Sequence, residues 1–379
     1  MDSLLRKFNS TIQNGLFSPL FNPDIQTLEK EAEFIAPSQG QNFDKMEQTQ
    51  QVAYHNLSNY LAADYMDIYV ATSMRSFADF VSVNNFVENL FKHQDIRQLK
   101  LRYFNPTQSW IEDRIAKGLV EALMLKRSDI CIYMAQKEDT FGKDSEASVT
   151  LGQGKPVIVY VPKLFYPEKD IDSENFGLLE RNQLIELIKK ESKESSDEID
   201  DQEDIEALHA TLLHLKISKF DETDYRAIVA KHWADFDIES EFDKRIEKTE
   251  LPKIKSWFDS ILKMNPVPMD EKMKRNIEDL LVATAMRFER RAKIFREIHP
   301  LALQVILSTG VLNGILVVRS IDSCSLLVRA LIENNLDLNL EVDDNNYKLI
   351  EKTTFSTIRV ISKHKLLSNS FSTFYKSVL

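Results

Sequence analysis

An α/β fold is what this 379-residue chain predicts: a doubly wound parallel sheet, then a helical region, then a small α+β C-terminal module. Three observations carry the prediction. Short apolar runs alternate with amphipathic helical patterns between Met66 and Val161, which is the order of βαβ units. The alternation stops near Pro167, and an acidic run from Glu191 to Asp201 leads into an unbroken helical pattern. Beyond Pro300, strand-like stretches return between further helical patterns.

The elements follow in order. Phe43 to Ala63 has helical spacing, with Met46, Val52, Ala53, Leu57 and Leu61 apolar. Met66–Thr72, Leu99–Phe104, Ile130–Ala135 and Val157–Val161 read as strands. Their continuous apolar character suits a parallel sheet covered on both faces. Phe77–Phe91, Ser109–Lys126 and a segment carrying Glu146 read as the helices between them. Right-handed crossovers place such helices on both faces. Leu178–Lys190 is a further helix. The run Glu191–Asp201 cannot bury apolar area and reads as a solvated linker. From Glu203 to Glu297 the pattern is helical, with Trp233 and Trp257 as core anchors and Met269–Arg296 as one long helix. In the last part, strands are expected at Ile315–Val318, Leu336–Val342 and Ile358–Ile361, and helices at Ser323–Ile332 and Leu366–Tyr375. The expected organisation is a helical extension over 1–63, an α/β domain over 64–190, an acidic linker over 191–203, a helical region over 204–299 and a C-terminal α+β module over 300–379.

Composition narrows the function classes. The net charge is −11, which argues against a binder of the phosphate backbone, so no direct nucleic-acid partner is expected. The 2 Cys, Cys131 and Cys324, build neither a disulfide framework nor a thiolate zinc site. Among the 7 His, the nearest pair, His209 and His214, is five apart and poorly placed on a helix face. No metal and no cofactor are expected. The N-terminus lacks the apolar core of a signal peptide. The uncharged stretch Leu301–Val318 is interrupted by Gln304, Ser308, Thr309, Gly310, Asn313 and Gly314, so it reads as buried structure broken by a turn and not as a span. The expectation is a cytoplasmic protein without a membrane partner. No Gly-Lys-Ser/Thr, Gly-x-Gly-x-x-Gly or Gly-x-Ser-x-Gly pattern occurs.

The chemistry-bearing residues gather around one loop. Glu138-Asp139-Thr140-Phe141-Gly142-Lys143-Asp144-Ser145-Glu146 leaves the carboxyl end of the Ile130–Ala135 strand. The first strand ends Ile68-Tyr69-Val70-Ala71-Thr72-Ser73-Met74-Arg75. In open α/β sheets, ligands sit outside the carboxyl ends of the strands, where the topology switches. Tyr69, Thr72 and Arg75 would there face Asp139, Asp144 and Glu146, with Glu121 reaching in from the preceding helix. Paired carboxylates suit cleavage of a glycosidic bond, whose transition state is oxocarbenium-like. Glu146, placed in the first turn of its helix, would be held anionic by the helix dipole. Arg75 and Lys143 would hold phosphates, and Gly142 would let the loop approach a ligand. Plainer readings stand beside these: Asp144 as an N-cap, Glu146 as a favourable first-turn acid, Asp139 as a solvated loop residue.

These residues resemble the nucleoside 2-deoxyribosyltransferase-like superfamily over roughly residues 64–165. The resemblance rests on Ile68-Tyr69-Val70-Ala71, on the acidic loop leading to Glu146, and on Gly152-Gln153-Gly154-Lys155-Pro156 before a strand ending in Pro162. It implies a flavodoxin-like fold, with Glu146 as the nucleophile on the anomeric carbon, Tyr69 positioning it and Asp139 contacting the base. Glu121 falls where the family has a base-contacting Asp. More distantly, the arrangement is similar to TIR-like NAD hydrolases. By analogy of architecture alone, such chains are similar to antiviral defence effectors. The expected activity is that of an N-glycosidase or ribosyltransferase acting on a nucleotide or NAD. The alternatives are a nucleotide-binding sensor without turnover and an interaction scaffold. The C-terminal regions would serve a homo-oligomer or a regulatory partner.

Overall fold

Every residue of the strand β1 (Met66–Ala71) is buried, which is why it reads as an unbroken apolar run. The structure, a computed structural model, describes residues 64–73, 77–106, 114–138, 140–164, 176–192, 204–236, 238, 249–262, 267–297, 315–342 and 346–362. The helices expected at Phe43–Ala63 and Leu366–Tyr375 lie outside the described residues, as does most of the acidic linker. After β1 come α1 (Phe77–Lys92), β2 (Tyr103–Phe104), α2 (Arg114–Arg127), β3 (Ser128–Met134), α3 (Phe141–Gly152) and β4 (Val157–Tyr160). A helical stretch follows: α4 (Arg181–Ser192), α5 (Ile205–Ile217), α6 (Glu222–His232), α7 (Leu251–Leu262) and α8 (Glu271–Glu297). The chain then forms β5 (Ile315–Val318), α9 (Ile321–Ile332), β6 (Leu338–Val342), β7 (Asn346–Glu351) and β8 (Thr357–Ser362). Two compact units result: the described residues up to Tyr160 with those from Phe295 onward, and Val161 to Ile294.

In the first unit, five parallel strands run in the order β2-β1-β3-β4-β5. This is the flavodoxin-like, doubly wound arrangement. Side chains alternate between the faces of a strand. Ile68 and Val70, Ile130 and Ile132, Ile158, and Leu316 and Val318 share one face, where they pack with Phe86 and Leu90 of α1 and Leu327 and Val328 of α9. Burying each such side chain stabilises the fold by roughly 1.5–3 kcal/mol. α2 and α3 pack against β1 and β3, where Tyr69 meets α3 from the opposite face. The helix after β1 and the helix after β3 therefore leave toward opposite faces, and the switch point falls between these two strands.

Two strands differ from expectation. Ile315–Val318, expected in the C-terminal module, is instead the edge strand of the large sheet, pairing Val157 with Ile315 and Tyr160 with Val318. All four of its residues are buried, and only a sheet covered on both faces buries a strand that fully. β2 is shorter than the expected Leu99–Phe104, because Arg97–Leu99 form a 3-10 turn that ends at Lys100 with φ 49°. The remaining strands make a small antiparallel sheet, β6-β7-β8. It is tied to β5 where the Val317 amide donates to Ser356 Oγ at 2.9 Å.

The second unit is helical. Trp257 is fully buried, with the Arg226 guanidinium 5.8 Å from its ring centroid, whereas Trp233 is only half-buried. Among the described residues, no helix is long and apolar enough to cross a membrane.

Candidate functional site

α3 begins at Phe141, and its N-cap is Thr140, whose side chain accepts from the Lys143 amide at 3.4 Å. Two sequence expectations change as a result. Asp144 is not the cap, and Glu146 falls in the second turn, beyond the strongest part of the helix dipole. Lys143, Ala147, Thr150 and Leu151 are buried. Their spacing of four, seven and eight makes one stripe that faces the sheet, and Asp144 and Glu146 flank it.

Two sheet tyrosines reach carboxylates on this helix. Tyr69 Oη donates to Glu146 Oε1 at 2.8 Å, and Tyr133 Oη donates to Asp144 Oδ1 at 2.9 Å. The pairing of Ala71 with Tyr133 and of Tyr69 with Cys131 sets the two tyrosines on the same face of adjacent strands. Tyr69 is fully buried and stacks on Phe104 with centroids 5.3 Å apart. Burial first, then the nearby Glu146 and Glu121, push its hydroxyl well above the usual tyrosine range. It is therefore a neutral donor.

Glu146 Oε2 is buried and has no hydrogen-bond partner. Burial pushes the carboxyl up to about 8, the Tyr69 hydrogen bond pulls it down, Glu121 raises it further, and Lys117 and Lys143 lower it. The expectation of a carboxylate held anionic at neutral pH is thus reversed. Desolvation outweighs the one hydrogen bond and the lysines. Burial also raises Glu121, opposed by Lys117, whose ammonium lies 3.7 Å from Glu121 Oε1.

The other expected residues separate by role. Lys143 is 1% exposed, and its ammonium donates to the carbonyls of Met134 at 2.9 Å and Glu138 at 3.1 Å. It also lies 5.0 Å from the Tyr133 ring centroid. Lys143 thus staples the loop between β3 and α3. Gly142 is an exposed helical residue, where an added Cβ would meet only Thr140 Oγ1, at 3.8 Å. Thr72 Oγ1 donates to Gln136 Oε1 at 3.1 Å. Arg75 and Asp139 lie outside the described residues.

Gln136 was not anticipated. It sits just past β3, accepts from the Ser73 amide at 2.6 Å and donates to the Ser73 carbonyl at 2.8 Å. It bridges the ends of β1 and β3. Its position after an apolar strand was the available signal, but one glutamine carries no periodic mark. Among the described residues, no group of three or more His, Cys, Asp or Glu is placed to hold a metal ion. His209 Nδ1 and Nε2 lie 2.9 and 2.8 Å from the carbonyls of Ile205 and Phe176.

The fold and the two contacts define a doubly wound α/β protein in which sheet tyrosines hold carboxyl groups of the helix that follows β3. Comparisons with family models, with curated proteins and with solved structures found no match.

Proposed function

We propose that this protein is an N-glycosidase or ribosyltransferase-like enzyme that cleaves the base–ribose bond of a nucleotide or NAD, with Glu146 as the reacting carboxyl. The observation that carries this reading is the split environment of Glu146: one oxygen held by Tyr69 at 2.8 Å, the other without a partner. In attack on an anomeric carbon, the held oxygen becomes the carbonyl oxygen of a glycosyl ester, and the free oxygen forms the new C–O bond. The C–N bond breaks, and its electron pair leaves with the base. Water then attacks the same carbon, loses a proton to solvent and returns the carboxylate. With its midpoint raised to about 8, Glu146 is mostly protonated at pH 7, and ionising it there costs roughly 1 kcal/mol. A carboxylate stripped of water is in return a more reactive nucleophile. Because Oε2 is covered, its side chain or its cover moves before a substrate reaches it. The resemblance of Tyr69 and Glu146 to the deoxyribosyltransferase-like pattern supports the reading, and the defence role stays an analogy of architecture.

A second reading is a nucleotide-binding sensor without turnover. It is favoured by the same raised midpoint of Glu146, since a neutral carboxyl donates a hydrogen bond to a ligand. The test is incubation with NAD, ATP and a panel of nucleosides and nucleotides, with free base measured by chromatography and Glu146→Gln alongside. Base release that the variant abolishes supports the enzyme. Release at the wild-type rate by the variant removes Glu146 from the chemistry. Saturable binding without product selects the sensor.

A further inference from the structure

Two kinds of contact hold α3 on the sheet. Ala147 and Leu151 are buried on its sheet-facing stripe. Such apolar contacts press the helix against the strands without fixing its rotation, because they have no direction. The directed contacts are hydrogen bonds, and they come from both flanks. Tyr133 Oη donates to Asp144 Oδ1 at 2.9 Å, and Tyr69 Oη donates to Glu146 Oε1 at 2.8 Å.

The two bonds are matched in geometry. Residues two apart on a helix stand about 200° apart around it and about 3 Å apart along it, so Asp144 and Glu146 leave α3 on opposite flanks. Tyr69 pairs with Cys131 and Ala71 with Tyr133, which sets Tyr133 two residues nearer the carboxyl ends of the strands, on the neighbouring strand. α3 starts at that end, after β3, and Asp144 precedes Glu146 along it. The order of the carboxyls therefore follows the order of the tyrosines. A rotation of α3 that carries one carboxyl toward the sheet carries the other away, so the two bonds together fix the rotation. Tyr133 is itself held. It is fully buried, and its ring centroid lies 5.4 Å from that of Phe295 and 5.0 Å from the Lys143 ammonium.

We propose that Asp144 is a positioning residue: anchored on Tyr133, it fixes the rotation of α3 and so keeps Glu146 within reach of Tyr69. The inference rests on the glycosidase reading for its catalytic consequence, and on the two hydrogen bonds for its geometry. It takes Asp144 out of the substrate-facing role that its loop suggested. Without the Tyr133 hydroxyl, one flank of α3 is released and the bond between Tyr69 and Glu146 loosens, although both of those residues are intact. An aspartate that only gripped substrate would leave that bond as it is.

The test reads the Tyr69 hydroxyl proton by NMR on the full chain without substrate, the signal assigned by its loss in Tyr69→Phe. In the wild type it is expected downfield and slow to exchange with water. Tyr133→Phe keeps the ring and alters no charge, and it is expected to move the Tyr69 signal upfield and speed its exchange. Asp144→Ala should do the same, whereas Asp144→Asn keeps an acceptor for Tyr133 and should restore the wild-type signal. An unmoved Tyr69 signal in Tyr133→Phe overturns the proposal. Should that variant not fold, an unmoved signal in Asp144→Ala overturns it equally, as does a wild-type hydroxyl proton that exchanges too fast to be seen. Base release is the second readout. In Tyr133→Phe, kcat is expected to fall about 10- to 100-fold with KM near the wild-type value, because the reacting carboxyl is misplaced while binding is not. A higher KM in Asp144→Ala with the Tyr69 signal in place would return Asp144 to the substrate and sink the positioning role alone. A signal that moves as expected while no compound releases base supports the positioning role and sinks the glycosidase reading.

Discussion

Tyr69 Oη donates to Glu146 Oε1 at 2.8 Å, joining residues 77 positions apart in the chain. Tyr69→Phe removes that donor and keeps the ring stacked on Phe104, so the fold is expected to persist. A hydrogen bond to an ionised group contributes about 1.5–3 kcal/mol. Base release is therefore expected to fall about 10- to 100-fold, and the Glu146 midpoint to move above about 8. Steady-state rates across pH read both effects. A variant with an unchanged acid limb would show that the hydroxyl does not act on the carboxyl.

Glu146 also sets a pH dependence of stability. Its midpoint in the folded protein, about 8, stands above the ordinary 4.5, so the folded state binds its proton more tightly than the unfolded state does. That contribution is fully present below about 4.5 and is lost as pH rises through about 8. Glu146→Gln keeps an acceptor for Tyr69 and carries no charge at any pH. It is expected to match the wild type near pH 4.5 and to be the more stable protein above pH 8, by about 3–5 kcal/mol. Urea midpoints of both proteins across this range check the difference. Parallel curves would mean that the carboxyl is solvated.

The layers and the tyrosine–carboxyl pair were legible for different reasons. β1, β3 and β4 are buried nearly throughout, and a strand covered on both faces leaves an unbroken apolar run. β5 was legible as a strand but not as a member of the large sheet, because the whole helical unit intervenes before it pairs with β4. β7 opens with Asn346 and carries Lys348, and its antiparallel partners alone make it a strand. At the site, Tyr69 and Glu146 came from the strand end and the acidic loop at the expected switch point, and the resemblance gave them their roles; periodicity gave neither. Gln136 was missed because its partner, backbone 63 residues away, leaves no spacing to read. The protonation of Glu146 was misjudged because it depends on burial, and burial depends on where α3 starts.

Gln136 links the ends of β1 and β3 through the amide and carbonyl of Ser73. Gln136→Leu keeps the volume and removes both bonds together with the one from Thr72. Hydrogen bonds of this kind contribute about 0.5–1.5 kcal/mol each, so a loss of about 2–4 kcal/mol is expected in urea unfolding. The local effect is sharper than the global one: the Ser73 amide should exchange faster in native-state hydrogen exchange, while the β3 amides stay protected. Uniform acceleration across the sheet would assign Gln136 to general stability and not to the junction of β1 and β3.

Lys143 separates a structural lysine from a phosphate grip. Its ammonium is buried against the carbonyls of Met134 and Glu138, at the start of the loop that carries Asp139. Lys143→Met takes this donor from the buried Met134 carbonyl, and a buried acceptor that loses its donor costs about 1–3 kcal/mol. A stability loss of at least about 1–3 kcal/mol is therefore expected, read as a lower urea midpoint with unchanged slope. The Glu146 midpoint should also rise, because the Lys143 charge lowers it. A lysine that gripped phosphate would behave otherwise. Its loss would weaken nucleotides far more than nucleosides and leave the urea midpoint in place, since an exposed ammonium contributes little to folding. Measuring the urea midpoint together with the KM for a nucleoside and its monophosphate separates the two roles. A KM change confined to the phosphorylated substrate, at full stability, would return Lys143 to the substrate side of the site.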